Sequence, residues 1–307
     1  MTSSHSPHPS VFIKIADLTI ALTSEDPALT LPNEGAMAQF LVSDATPDVR
    51  VRAAWGELGE VSGEKLFDSG SLWQLYAAKD SRRFQFTTPI LGPIPYKMAS
   101  FDPEFTTGEV LLHRPYFPNG QTVNPLEYPL DELLILHLLA KGRGVEVHAC
   151  GVVDPAGQGY LFAGQSGAGK TTIARLWQKA EGMTVLSDDR IILRNKEGRL
   201  WMYGTPWHGE GELSCSARAP LAGVYLLRHG ATSELVPQRH SEAVARLVAC
   251  SFPPFYSSSG MDFVLAFFDQ VVNTVPCQEL RFVPDEQMLA LIRSSWNETG
   301  RRGGTTL

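Results

Sequence analysis

The chain opens with short apolar runs that alternate in part with polar residues. Val11-Phe12-Ile13-Lys14-Ile15 and Leu18-Thr19-Ile20-Ala21-Leu22 are the first two. Leu72-Trp73-Gln74-Leu75-Tyr76, Phe84-Gln85-Phe86-Thr87 and Glu109-Val110-Leu111-Leu112-His113 continue the pattern. Runs of this length and period predict strands. Proline and glycine punctuate them, as in Leu91-Gly92-Pro93-Ile94-Pro95. Residues 1–125 are therefore expected to form a β-rich N-terminal domain, with substrate or partner binding as its candidate role. Trp73, Tyr76 and Phe84 fit either an aromatic core or a peptide-binding face, and core is the default for each.

The pattern changes near Asn124. Pro129 fits the first position of a helix, with Asp131 and Glu132 in its first turn. Leu130 to Ala140 is apolar nearly all round, which predicts a buried helix, and His137 inside it reads as structural. Lys141 and Gly142 close it. Strand and helix then alternate. Strands are predicted at 144–153, 159–163, 183–186, 190–193, 200–203 and 221–227. Helices are predicted at 172–180, 241–250 and 285–294. The first of these helices places Ile173, Leu176, Trp177 and Ala180 on one face. Alternation of this kind gives residues 126–296 α/β character. Residues 1–10 and the Gly-, Thr- and Arg-rich 297–307 read as loose ends, the latter as a flexible tail.

A length of 307 residues allows two ordinary domains, in keeping with that division. The balance of 26 basic against 33 acidic residues, a net charge of −7, argues against a basic footprint for nucleic acid or an anionic membrane. No apolar stretch is long enough to suggest a membrane-spanning helix, and Met1 to Ser10 carries no apolar signal core. These readings point to the cytoplasm. Cys150, Cys215, Cys250 and Cys277 are far apart and form no CxxC pair, so they read as small apolar residues rather than a zinc or disulfide framework.

One segment carries clear chemistry. Gly164-Gln165-Ser166-Gly167-Ala168-Gly169-Lys170-Thr171 fits G-x-x-x-x-G-K-[ST] without a mismatch. The glycines let the backbone curl so that successive N–H groups face phosphate oxygens. The helix that follows offers free N–H groups and its positive end. Lys170 suits the β- and γ-phosphates, and the Thr171 hydroxyl suits Mg²⁺. An apolar strand, Tyr160-Leu161-Phe162-Ala163, enters the loop and an amphipathic helix leaves it.

Downstream, Ser187-Asp188-Asp189-Arg190 follows the apolar Met183, Val185 and Leu186. A carboxylate at a strand end beside a phosphate loop is where a Mg²⁺ partner belongs. Successive strand residues point to opposite faces, so both carboxylates reach one site only if the strand ends there and the backbone turns. One of them can then accept a proton from an attacking hydroxyl. The alternative is a solvated Asp-Asp turn with its arginine.

His148, in Val145-Glu146-Val147-His148-Ala149-Cys150-Gly151, lies on a strand before the loop. His148, the loop and Asp188-Asp189 recur in this order and at similar spacing in one family. The segment of about residues 128–230 resembles the C-terminal domain of HPr kinase/phosphorylase and its relatives, which are akin in fold to phosphoenolpyruvate carboxykinases. The resemblance implies a P-loop-containing sheet flanked by helices, preceded here by an unrelated β-rich domain. It implies a kinase that uses ATP or GTP with Mg²⁺ and phosphorylates serine in a peptide or small protein. By position, Asp188 would be the general base, with His148 beside it, and Asp189 and Thr171 would hold Mg²⁺. Lys170 and the loop from Gly164 through Thr172 would hold phosphates. HPr kinases assemble as hexamers, so the resemblance extends to a homo-oligomer.

HPr kinases carry Glu-Ile-Arg-Gly after the aspartates. Here the region reads Thr205-Pro206-Trp207-His208-Gly209-Glu210-Gly211-Glu212. Glu210 fits an acidic, metal-adjacent role and His208 or Arg218 a phosphate-facing one, and a solvated glycine-rich loop fits the same residues equally well. That difference leaves the reverse phosphorylase reaction and HPr itself open as expectations. A small-molecule hydroxyl kinase and a nucleotide-sensing, peptide-binding module are the rival readings.

Overall fold

A computed structural model describes residues 10–92 and 94–302. The predicted loose N-terminal end thus lies outside the described residues up to position 9, as does the tail from 303. Two compact units divide between Leu138 and Leu139.

The first unit is a nine-stranded sheet. Its strands are β1 (Val11–Ile15), β2 (Leu18–Ser24), β3 (Leu41–Val42), β4 (Val49–Trp55), β5 (Glu64–Asp68), β6 (Trp73–Ala78), β7 (Ser81–Phe86), β8 (Lys97–Phe101) and β9 (Thr107–Leu112). Their order is β3-β1-β2-β4-β9-β8-β7-β6-β5. The pairs β2–β4 and β4–β9 are parallel, and β5 to β9 form an antiparallel meander. Alternation places one set of side chains inside: Val49, Val51 and Ala53 of β4 are buried while Arg50 and Arg52 are exposed. A one-turn helix, α1 (Gly35–Ala38), precedes β3, and α2 (Leu130–Leu139) follows the sheet. The ring of His137 stacks on Phe105 at 4.2 Å and meets Phe84 edge-on at 5.4 Å. These contacts tie α2 to the first unit. The sequence reading began the second domain at residue 126, before this helix; the two units divide at its C-terminal end.

The second unit contains β10 (Val145–Val153), β11 (Gly159–Ala163), α3 (Lys170–Gln178), β12 (Thr184–Ser187), β13 (Arg190–Lys196), β14 (Arg199–Tyr203) and β15 (Arg218–His229). It continues with β16 (Glu234–Pro237), α4 (His240–Ala249), α5 (Ser258–Thr274), β17 (Cys277–Phe282) and α6 (Glu286–Arg302). The sheet runs β11-β10-β13-β14-β15-β17-β16, β12 pairs with β10, and a parallel β11–β15 pairing joins the first strand to the fifth. The twelve-residue β15 makes this closure by changing neighbours along its length: Arg218 to Pro220 pair with β14, and Leu221 to Leu226 with β11.

Both faces of this sheet are covered. Leu161 and Ala163 of β11 join a core with Leu247 of α4 and Val264, Phe268 and Val271 of α5. Tyr160 and Phe162 join an opposite core with Ile173 and Trp177 of α3 and Ile292 of α6. Burial on both sides explains the unbroken apolar run that enters the glycine-rich loop after β11. Fully burying one such large apolar side chain contributes roughly 1.5–3 kcal/mol. The molecule is thus mixed α/β, built on two mostly sheet units. No helix among the described residues is long and apolar enough to cross a membrane.

Two of the longer helices differ from the sequence reading. Helix α6 continues to Arg302, past the point where a loose tail was expected. Propagating a formed helix adds one hydrogen bond per residue without a new nucleus, so weak periodicity does not end it. Helix α5 was not anticipated. Its signal was present: the Ser257 hydroxyl accepts the Gly260 N–H as an N-cap, and Gly260, Val264, Phe267, Phe268 and Val271 form its buried face.

Candidate functional site

The loop 164–169 joins β11 to α3. Two glycines give it its shape. Gly167 and Gly169 have φ of +79° and +96°, where side chains are strained, and a Cβ on Gly169 would also lie 2.7 Å from the Phe282 ring. Gly164 packs close against the far side of the loop: a Cβ there would meet Ala168 Cβ at 2.6 Å. Gln165, Ser166 and Gly167 are exposed at the loop tip, and Thr172 is exposed in the first turn of α3. The His229 ring nitrogen Nε2 lies 2.9 Å from the Gly167 carbonyl and braces the tip.

Lys170 is the first residue of α3 and is only 6% exposed. Its ammonium donates to the Gln165 carbonyl at 3.1 Å and lies 4.0 Å from Asp189 Oδ1. Burial pushes its pKa below the usual lysine value, and the charge of Asp189 only partly offsets this.

Asp188 and Asp189 lie between β12 and β13, where the chain turns. The Ser187 hydroxyl holds that turn by accepting the N–H groups of both Asp189 and Arg190 at 3.2 Å. The two carboxylates face different partners. The Thr171 hydroxyl donates to Asp188 Oδ2 at 3.2 Å. The Gly211 N–H donates to that same oxygen at 2.8 Å, and the Gly209 N–H to Oδ1 at 3.0 Å. Asp188 is fully buried under this loop. The glycines permit the approach, since a Cβ on Gly211 would sit 2.5 Å from Oδ2.

Asp189 turns the other way. His148 Nε2 lies 2.7 Å from its Oδ1, and Arg190 Nη1 donates to its Oδ2. Burial pushes the Asp189 carboxyl up, but the His148 hydrogen bond and the charges of Arg190 and Lys170 outweigh it and hold it below the usual carboxylate range. The partners expected for the two aspartates are therefore exchanged: Thr171 meets Asp188, and His148 meets Asp189. The reason is register. His148 of β10 lies opposite Arg190, and the Ala149 N–H donates to the Asp189 carbonyl at 3.0 Å, so Asp189 is drawn to β10. Asp188, one residue earlier, points toward α3.

Arg190 was not given a role by the sequence. Its Nε lies 3.4 Å from the buried Glu146 carboxylate, and its guanidinium sits 4.2 Å above the Phe252 ring. It thereby orients Asp189 from behind. The signal for it was its place directly after the aspartate pair. Phe252 also packs beside His148, with ring centroids 6.0 Å apart.

Glu210 is exposed, and its backbone carbonyl accepts a hydrogen bond from Arg175 at 3.1 Å. What reaches Asp188 from this loop is the backbone N–H of its neighbours Gly209 and Gly211. His208 is exposed, and Arg218, the first residue of β15, packs on Trp201, 4.9 Å from the ring centroid. All four cysteines are free, and Cys150 and Cys250 are buried. Among the described residues no group of three or more His, Cys, Asp or Glu side chains is arranged to hold a metal by itself.

The donor set beside the loop nevertheless suits Mg²⁺. This ion takes one or two protein oxygens and fills its octahedron with phosphate oxygens and water. Thr171 Oγ1 and Asp188 Oδ2 are two adjacent hard oxygens of that kind. No protein-family model and no curated protein matches the chain.

Proposed function

We propose that this protein is a Mg²⁺-dependent kinase that transfers the γ-phosphoryl group of ATP or GTP to a serine hydroxyl of a peptide or small protein. One observation carries the reading: a phosphate loop brings two differently partnered aspartates together, Asp188 on Thr171 at 3.2 Å and Asp189 on His148 at 2.7 Å. A nucleotide-sensing module needs only the first pair. The second pair supplies a base. The loop, the aspartates and the upstream histidine are also the features that resemble the HPr kinase family, with its carboxykinase-like fold.

The roles follow from the contacts. The loop N–H groups and Lys170 bind the phosphates. Thr171 and Asp188 would hold Mg²⁺, and the ion would supply charge neutralisation for the phosphates there. Asp189 is the base in this arrangement, in place of Asp188. The acceptor oxygen forms a bond to the γ-phosphorus as the bond from phosphorus to the β–γ bridging oxygen breaks. The hydroxyl proton passes to the Asp189 carboxylate, and the nucleoside diphosphate leaves. His148 and Arg190 keep that carboxylate ionised and aimed. Most of the acceleration comes from positioning and charge neutralisation.

A serine-peptide library with labelled γ-phosphate tests this. Asp189→Asn should abolish transfer while leaving nucleotide affinity intact. Asp188→Asn should remove the Mg²⁺ dependence of binding. Transfer that survives in Asp189→Asn would reject the assigned base.

A further inference from the structure

An acceptor must reach the Asp189 carboxylate, which with His148 keeps about a fifth of its surface in solvent, 22% and 20%. The chain leaving α4 runs back along β10 beside these two side chains. The His148 N–H donates to the Cys250 carbonyl at 2.6 Å, and the Phe252 N–H to the Glu146 carbonyl at 3.1 Å. This short antiparallel pairing, centred on Val147 and Ser251, holds Cys250 to Phe252 level with His148. Pro253-Pro254-Phe255-Tyr256 then carries the chain to the Ser257 N-cap of α5. We propose that this loop is the docking platform for the acceptor, and that the acceptor is a peptide with a large apolar side chain close to its serine. The proposal rests on the kinase reading and adds the substrate class to it.

Three observations carry it. The first is exposure. Among the described residues Phe255 is the most exposed Phe, Tyr or Trp, at 70%. The second is rigidity. Pro253 and Pro254 each have a fixed φ. The Phe255 N–H donates to the Pro253 carbonyl at 2.9 Å, and the Ser257 N–H to the Pro254 carbonyl at 2.8 Å. A Cβ on Gly260 would lie 2.4 Å from Pro254 Cγ, so the start of α5 packs tightly on the loop. Phe255 is thus held out in water by its backbone, and a preorganised apolar group loses little freedom when a partner covers it. The third is place. Phe252 belongs to the site: the Arg190 guanidinium lies 4.2 Å from its ring centroid, and the His148 ring 6.0 Å away. Phe255 follows three residues later, so at most about 11 Å of chain separates the two. An extended peptide with its serine at Asp189 therefore brings a side chain roughly three or four positions away onto Phe255. Charge narrows the class further. Cys250 to Met261 contains no charged residue, so the loop offers apolar burial and not ion pairing.

A library of serine-centred peptides with randomised flanks, incubated with MgATP carrying labelled γ-phosphate, tests the proposal. In the wild type, Leu, Ile, Met and Phe should be enriched among labelled peptides at a position three or four residues from the serine. Phe255→Asp should remove that enrichment. It should also raise the KM for the best peptide about tenfold, the effect of losing part of one buried apolar contact. MgATP affinity by calorimetry should stay as in the wild type. Phe255→Leu keeps an apolar surface and should keep both the enrichment and the low KM. Wild-type labelling without an apolar preference, or a preference that survives in Phe255→Asp, would overturn the proposal and leave the kinase reading standing. If Phe255→Asp alters only self-association in sedimentation, the face belongs to a second copy and the proposal falls. A wild type that binds MgATP but labels no peptide would overturn both readings.

Discussion

Each unit of this protein buries a lysine, and the two are built for different ends. Lys97 in the first unit is 0% exposed and Lys170 in the second is 6% exposed. Burial lowers the pKa of both, against the pull of a neighbouring carboxylate. Lys97 is enclosed: it donates to Glu127 Oε1 at 3.2 Å and to the Glu127 carbonyl at 3.4 Å, under the rings of Phe86 and Tyr96. Lys170 has a backbone carbonyl at 3.1 Å and its carboxylate at 4.0 Å, at the foot of an exposed glycine loop. A buried, perturbed cation therefore does not mark a site. What marks it is an incomplete set of partners beside an open loop.

The comparison breaks most directly by substitution at the two positions. On the proposed reading, Lys170→Ala should weaken nucleotide binding on the order of a hundredfold, since it removes the charged donor proposed for phosphate. Its melting temperature should barely change. Lys97→Met should do the reverse: nucleotide affinity stays, and stability falls by about 3 kcal/mol, because the change removes one partner of an ion pair whose lysine is buried. Calorimetry and thermal melts on both variants check this. A loss of nucleotide binding in Lys97→Met would erase the distinction.

Next in size is the partner of the enclosed lysine. Glu127→Ala removes the carboxylate that accepts from the Lys97 ammonium, and should cost about 2–3 kcal/mol in urea unfolding. Gly211→Ala probes the open side. Its Cβ would press on Asp188 Oδ2 from 2.5 Å, so the loop must retreat, at about 1–3 kcal/mol. The Mg²⁺ requirement for binding should rise with it, while binding that stays as in wild type would show that the loop does not hold Asp188.

The smallest effect is in acid. Burial alone would raise the Glu279 carboxyl, but hydrogen bonds from Arg281 and Arg246 hold it below 4.5. The sign follows from that direction. The carboxylate contributes stability at pH values above 4.5, and the contribution is lost as pH falls through the lower folded value. Glu279→Gln should therefore lose stability near neutral pH and show a shallower decline in acid than the wild type.

Much of the site is legible in the sequence because it is local. The loop is a contiguous eight-residue pattern, and the strand before it and helix after it are periodic. The aspartate pair stands out next to an apolar run. What sequence does not settle is which aspartate faces which partner. That depends on β10 pairing His148 with Arg190, a contact between residues 42 positions apart by subtraction of their numbers. The backbone donors to Asp188 are equally hidden, since Gly209 and Gly211 look like an ordinary glycine-rich loop. In the first unit, β1, β2, β6, β7 and β9 coincide with visible apolar runs. Strand β4 carries a clear alternation in Val49-Arg50-Val51-Arg52, outside the apolar runs that predict strands. The parallel neighbours of β4 are a matter of topology, which no local pattern carries.

The most direct test of the account is calorimetric titration of MgATP into the wild type and Lys170→Ala. The account predicts Mg²⁺-dependent binding by the wild type and its loss in the variant, with both proteins equally folded by circular dichroism. No binding by the wild type, or binding that Lys170→Ala leaves unchanged, would contradict it.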